Sequence, residues 1–269
     1  MQQLLSKHRY KKRKIQRRLS SGEAANRDAQ FKKIARIIKK YKKVGNPVLS
    51  VDTKKKEPIG KLHREGSCYS KREISSYDHD FPTLAQGIAI PHGIYDVSRN
   101  KEHITIGTSC ETSEFICDSI KQWWQEHGIN TYPQASSILL LMDGGGSNSS
   151  RCYLFKQELE KLANAIKLEI RIAHYPPYSS KWNPIEHRLF PHVSRALQGV
   201  LLKDYNMLKE LVEKTTTEKG LEVTASIMDQ VYEKGKKVAK DFKANRKVLF
   251  DRFLGQWNYR VRPVSHSAP

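Results

Sequence analysis

Ser137-Ile138-Leu139-Leu140-Leu141-Met142-Asp143 runs directly into Gly144-Gly145-Gly146. An unbroken apolar run of this length, stopped by glycines, predicts a central strand buried on both faces. Its last residue is a carboxylate, delivered at the strand end into a stretch without side chains. Working outward, residues 47–52 form a shorter buried-strand candidate that also closes on a carboxylate, Asp52. Residues 54–66 are polar and turn-rich, and 67–82 look irregular. Residues 88–96 and 104–109 alternate as two more strands, joined by Ser98-Arg99-Asn100. A helix is predicted over 112–127, with Phe115, Ile116, Ile120, Trp123 and Trp124 on its core side. Downstream come a helix over 151–165, a strand over 168–174, a Pro/Ser-rich loop over 175–181, and helices over 184–197 and 204–216. Beyond Gly220 no element is legible. Three meandering strands, then helix, strand, helix, strand, loop and helix predict an α/β class. The arrangement is a mixed sheet with helices on both faces, in the order of the ribonuclease H-like fold.

The chain of 269 residues carries a net charge of +20, unevenly spread. Residues 1–43 hold 16 Lys and Arg against Glu23 and Asp28 alone. Such a basic arm on a mildly basic body points to a polyanion, with phosphates the common case. Its second part, 29–43, places Phe31, Ile34, Ile38 and Tyr41 at helical spacing among lysines. Gly45, Asn46 and Pro47 close it. Residues 1–46 are therefore read as a basic helical arm, and 47–269 as the main domain with a C-terminal extension. No apolar run is long enough for a membrane span, and the start has no secretory pattern. The expected location is cytoplasmic, on nucleoid DNA. Cys68, Cys110, Cys117 and Cys152 form no C-x-x-C pair, so neither a zinc site nor a disulfide framework is expected. His187 and His192 lie too far apart for a helical ligand pair, and no His-based metal site is expected.

Three carboxylates stand out: Asp52, Asp143 and Glu186. If the strands ending at Asp52 and Asp143 are neighbours, both carboxylates emerge at one sheet edge, and the helix carrying Glu186 can add a third. Clustered carboxylates suit Mg²⁺ or Mn²⁺, and two such ions can flank a phosphodiester. Each residue has a plainer reading. Asp52 can end a strand at a turn, and the glycines can be only a turn. They lack the spacing of a nucleotide P-loop. Asn183-Pro184-Ile185-Glu186 reads as a near capping box, in which Glu186 serves its own helix. Asp96 competes with Asp52, with a turn role favoured. Lys54, Lys55 and Lys56, and Lys181 with Trp182, are candidate DNA contacts, as are Arg13, Arg17, Lys39 and Lys40 of the arm.

Four stretches together carry a family resemblance. They are Val51-Asp52-Thr53-Lys54-Lys55-Lys56-Glu57, Gly93-Ile94-Tyr95-Asp96, Asp143-Gly144-Gly145-Gly146-Ser147-Asn148, and the run from His174-Tyr175-Pro176-Pro177-Tyr178-Ser179-Ser180 through Lys181-Trp182-Asn183-Pro184-Ile185-Glu186-His187-Arg188-Leu189-Phe190. The sequence resembles the ISAzo13-type insertion-sequence transposases from about Asn26 onward. The resemblance implies a ribonuclease H-like DDE core with Asp52, Asp143 and Glu186 as the triad. It also implies Mg²⁺ or Mn²⁺, two ions, and cleavage and strand transfer on double-stranded DNA, at transposon ends and target. A homodimer in a synaptic complex is implied too. Family members extend further at the N-terminus, so the sequence is read as an N-terminally truncated copy. Two alternatives remain: an inactive remnant that only binds DNA, and a nuclease acting on RNA–DNA hybrids.

Overall fold

The computed structural model describes residues 2–11, 13, 22, 25–238, 242 and 247–264. Two helices come first, α1 (Gln2–Lys7) and α2 (Arg27–Lys43). Next are β1 (Val48–Thr53), β2 (Glu57–Ile59), β3 (Gly87–Asp96), β4 (Lys101–Gly107), α3 (Ser113–Trp123) and α4 (Ile129–Thr131). The chain continues with β5 (Ser137–Met142), α5 (Tyr153–Ile166), β6 (Glu169–His174), α6 (Ile185–Arg188), α7 (Phe190–Ala196) and α8 (Tyr205–Glu213). It closes with β7 (Glu222–Met228), β8 (Val248–Phe250) and β9 (Asn258–Val261). The nine strands form one mixed sheet in the order β7-β4-β3-β1-β5-β6-β9-β8, with β2 added beside β3. The expected meander β1-β3-β4 is antiparallel throughout, and β5 and β6 lie parallel on the other side of β1. This is the ribonuclease H-like arrangement.

Strand periodicity sends alternate residues to opposite faces. On one face Leu49, Val51, Ile94, Leu140 and Met142 pack with Phe115, Ile116 and Ile120 of α3 and Phe155 and Leu159 of α5. On the other face Tyr95, Ile104 and Ile106 pack with Ile185, Leu189, Val193 and Leu208, from α6 through α8. Helix α2 shares that second face. Its stripe, led by buried Ile34 and Tyr41, covers Val48, Leu139, Leu141 and Ala173. Tyr41 and Ser137 hydroxyls hydrogen-bond at 2.7 Å. The buried Gln30 donates to the His174 carbonyl at 2.8 Å and accepts from Asn258 at 2.7 Å. The lysine-rich side of α2 is left facing solvent.

Three expectations change. The predicted helix over 112–127 is α3 followed by a π-helical turn, Trp124–Gly128, and then α4. The predicted helix over 184–197 is two helices, broken at Leu189 (φ −115°, ψ −64°). Pro191, one residue into α7, has no N–H to bond back to the preceding turn, so a continuous helix would lose a hydrogen bond there. The illegible tail supplies three strands: β7 lies parallel on β4, and β9 and β8 extend the sheet beyond β6. Asp96 takes the turn role. It is buried, its Oδ1 accepts from the Ser98 and Arg99 amides, and its Oδ2 accepts from the Tyr132 hydroxyl.

If α2 is part of the sheet's packing rather than a loose arm, Ile34→Ala should destabilise the chain by about 2–5 kcal/mol, the range for emptying a buried aliphatic site. Urea unfolding measures this; a loss under about 0.5 kcal/mol would show α2 to be detached.

Candidate acidic active site

The parallel pairing of β1 with β5 sets the site. Val51 stands opposite Met142 in register. The next residue on each strand, Asp52 and Asp143, therefore comes out side by side, both on the face that carries α2 and α6. Asp52 is still within β1, and Asp143 follows β5 directly.

Helix α6 adds the third carboxylate through close packing. Gly93 lies opposite Asp52 on β3. A Cβ at Gly93 would stand 2.7 Å from Ile185 Cδ1 and 3.1 Å from Leu189 Cδ2. A side chain here would have to push these tips aside, so the glycine lets α6 settle close to β3. Buried Asn183 anchors the approach. Its Oδ1 accepts from the Ser50 hydroxyl at 2.5 Å and its Nδ2 donates to the Val51 carbonyl at 3.4 Å. The Ile185 amide donates to Ser50 Oγ at 3.0 Å. The capping-box reading is thereby corrected: Asn183 spends its side chain on β1 and makes no cap bond to α6. Glu186 instead acts on Asp52, whose carboxyl it helps to raise.

The cluster is electrostatically strained. Burial, with the charge of Asp143 next and Glu186 after it, pushes the Asp52 carboxyl up to about 8. The Thr53 amide, 2.8 Å from Oδ1, opposes this only partly. Among the described residues none of the three carboxylates takes part in an ion pair. Their oxygens also stay more spread than a single-ion knot: the described group whose ligand atoms all fall within 4.8 Å is His103, Glu126 and His127, elsewhere in the fold. An unneutralised, all-oxygen set of this kind fits hard divalent cations.

The surroundings of Asp143 leave room above it. A Cβ on Gly144 or Gly145 would meet nothing closer than 3.8 and 3.5 Å, and Gly146 adopts φ +62°, where glycine is favoured. From below, His174 grips the Asp143 peptide. Its Nδ1 lies 2.9 Å from the Asp143 carbonyl and its Nε2 lies 3.0 Å from the Tyr259 hydroxyl. A carbonyl only accepts, so Nδ1 carries the proton. Burial holds the imidazole at about 4, hence neutral. Neither His174 nor Tyr259 stood out in the sequence as a support for the site; Tyr259 lies in the illegible tail.

The proposed DNA contacts fall in three places. Lys54 is turned inward and paired with Glu57, so only Lys55 and Lys56 of that run are exposed. Lys181 and Trp182 are exposed beside the trio's helix, with the ammonium 5.8 Å from the ring and Phe31 edge-on to Trp182 at 6.1 Å. Lys39 and Lys40 lie on the exposed side of α2, and Arg13 is exposed. Arg17 lies outside the described residues.

Comparison with known proteins agrees with this architecture. Residues 1–263 match the family described as Rhodopirellula transposase DDE domain, so the match begins upstream of Asn26 and takes in the basic arm. No curated protein matches the chain. Among solved structures it is similar to a pre-cleavage Mos1 transpososome (15% identity, TM-score 0.51) and to the mariner Mos1 paired end complex with Mg (14% identity, TM-score 0.51). In both, 79% of this chain is covered, and it spans 62% of the other. These likenesses show the ribonuclease H-like fold.

The raised Asp52 carboxyl has a direct consequence for stability. An unfolded Asp ionises near 3.8, and the folded one at about 8. The folded state thus holds a proton that the unfolded state has lost. This contribution to stability is complete below pH 3.8 and disappears as pH rises through 8. Asp52→Asn should therefore melt higher than the parent at pH 8 in EDTA, by ~5 °C or more. The difference should shrink toward pH 4. An equal or lower melting temperature at pH 8 would contradict the strained cluster.

Proposed function

We propose, from the premise that the chain belongs to the family of transposase DDE domains, that its acidic trio cleaves DNA strands and transfers them to new positions using two divalent metal ions. The observation that carries this is the juxtaposition of Asp52 and Asp143 by strand register, with Glu186 of α6 against Asp52.

In this reading Asp52, Asp143 and Glu186 are the residues that would hold the ions. Mg²⁺ or Mn²⁺, when bound, supplies a lowered pKa for the attacking water or 3′-hydroxyl and a counter-charge for the leaving oxygen. The chain's own groups do the rest. Gly144 and Gly145 leave space for a sugar-phosphate backbone to lie over Asp143. His174, held by Tyr259, fixes the Asp143 peptide so that the carboxylate does not drift. Lys55, Lys56 and Lys181 draw phosphates toward the site, and Trp182 offers a face for an unpaired base. The exposed side of α2, with Lys39 and Lys40, extends the positive surface. Binding through such contacts should weaken steeply with salt. Two copies acting on paired transposon ends follow from the family reading.

The test is a nicking and strand-joining assay on the element's own end DNA at low salt. Wild type is expected to give products with Mn²⁺ or Mg²⁺ and none with EDTA. Asp143→Asn should lose more than about 100-fold, beyond the 10–100-fold typical for removing an outer support such as His174. DNA binding without products in either protein would favour a chain that binds DNA only. Cleavage confined to RNA–DNA hybrids would favour a hybrid nuclease.

A further inference from the structure

Across the sheet from the acidic trio, a second group of ligand-type side chains meets. Val51 pairs with Ile94, and Ile94 with His103, so His103 projects to the face opposite Asp52. There it meets Glu126 and His127. One ligand atom from each of the three lies within 4.8 Å of the others. The His103 and His127 rings are 5.1 Å apart at their centroids. The sequence gives no hint of the pairing, because it arises only when the end of α3 folds over β4.

Four features make this more than chance proximity. His127 Nε2 is buried without a hydrogen-bond partner, and Glu126 Oε2 lies 3.8 Å from it. His103 is fully backed by hydroxyls: Thr224 Oγ1 lies 2.9 Å from Nδ1 and Ser226 Oγ lies 3.0 Å from Nε2. One nitrogen can take a metal while the other donates its N–H to a hydroxyl, the arrangement that orients ligating histidines. Glu126 and His127, although adjacent in sequence, both sit in the π-helical turn, in which the Ile129 amide bonds back to the Trp124 carbonyl. Single π turns are costly and cluster at functional sites. This one depends on Gly128, where a Cβ would stand 2.3 Å from the Trp124 ring. Finally, His103 and His127 line a cavity of about 180 Å³. The two cations on its rim are engaged elsewhere: Lys101 with Glu222 at 2.7 Å, and Arg99 with the Thr131 carbonyl and the Tyr132 ring.

We propose that His103, Glu126 and His127 form a second metal site, for Zn²⁺ or a similar borderline transition ion, separate from the Mg²⁺/Mn²⁺ site. Two imidazoles and one carboxylate are a common zinc donor set, with water as the fourth ligand. Bonds of 2.0–2.1 Å need ligand atoms roughly 3.4 Å apart, so the three side chains would have to close in on the ion from their present spacing. The ion would clamp the end of α3 to β4. Through the one hydroxyl that His103 would keep, Thr224 or Ser226, it would also steady edge strand β7.

Titration of the metal-free full chain with ZnCl₂, by calorimetry and by melting temperature, tests this. Wild type and Asp143→Asn are both expected to bind one Zn²⁺ tightly and to melt higher with it. His127→Gln and Glu126→Gln, at positions less buried than His103, should bind at least tenfold more weakly and lose the shift. Co²⁺ bound in place of zinc should show the intense visible absorption of a four-coordinate ion in wild type only. Zinc binding that survives His127→Gln but falls in Asp143→Asn would overturn the proposal, as would no binding at all.

Discussion

Two carboxylates are held next to each other because a parallel strand pair leaves them no alternative. Residues 48–51 of β1 and 139–142 of β5 are locked in register, with apolar side chains packed on both faces of the sheet. A one-residue slip would turn Leu49 and Val51 away from α3 and α5, so the core itself forbids it. Packing therefore carries an electrostatic burden: Asp52, partly withdrawn from water, must lie beside Asp143. Without a cation the crowding favours a proton on Asp52, whose carboxyl is pushed up by burial and the charge of Asp143. A divalent ion offers better relief. The same constraint that penalises the empty site favours metal binding, and this is the physical basis of the proposed function.

The rest of the structure keeps that pair supplied with partners. Ser50 and Asn183 tie the start of α6 to β1, and Gly93 gives α6 the clearance to bring Glu186 to Asp52. His174 and Tyr259 secure the Asp143 peptide from the far side. Gln30 of α2 reaches the His174 carbonyl, so the helix that leads into the sheet is connected to the same support. Solvent-facing lysines on α2 and around the site then surround an acidic centre with positive charge. In the proposed function that combination would draw in a polyanion and leave the acidic trio for metal.

Much of this was legible in the sequence, where the signal was local. The apolar run into Asp143 and the shorter one into Asp52 announced buried strands ending in carboxylates, and the stripe from Phe31 to Tyr41 announced a docked helix. Where a side chain's role depended on a distant partner, the sequence was silent or misleading. Asn183 looked like a cap because its spacing to Glu186 is right, but its partners are Ser50 and Val51. Lys54 looked like a phosphate contact, but Glu57 turns it inward. In β7 the buried members, Val223 and Ala225, are small, which dilutes the alternation. β8 and β9 are too short to show a period, although Tyr259 sits in one of them. The meeting of His103 and His127 is wholly tertiary.

The central claim is that strand register builds one metal-holding site from Asp52, Asp143 and Glu186. The most direct measurement is a crystal structure of the chain grown with Mn²⁺, with anomalous differences recorded to place the ions. The account predicts manganese peaks in contact with the Asp52 and Asp143 carboxylates, at least one of them also reached by Glu186, roughly 4 Å apart if two are present. Well-ordered manganese elsewhere, with the three carboxylates bare, would contradict it.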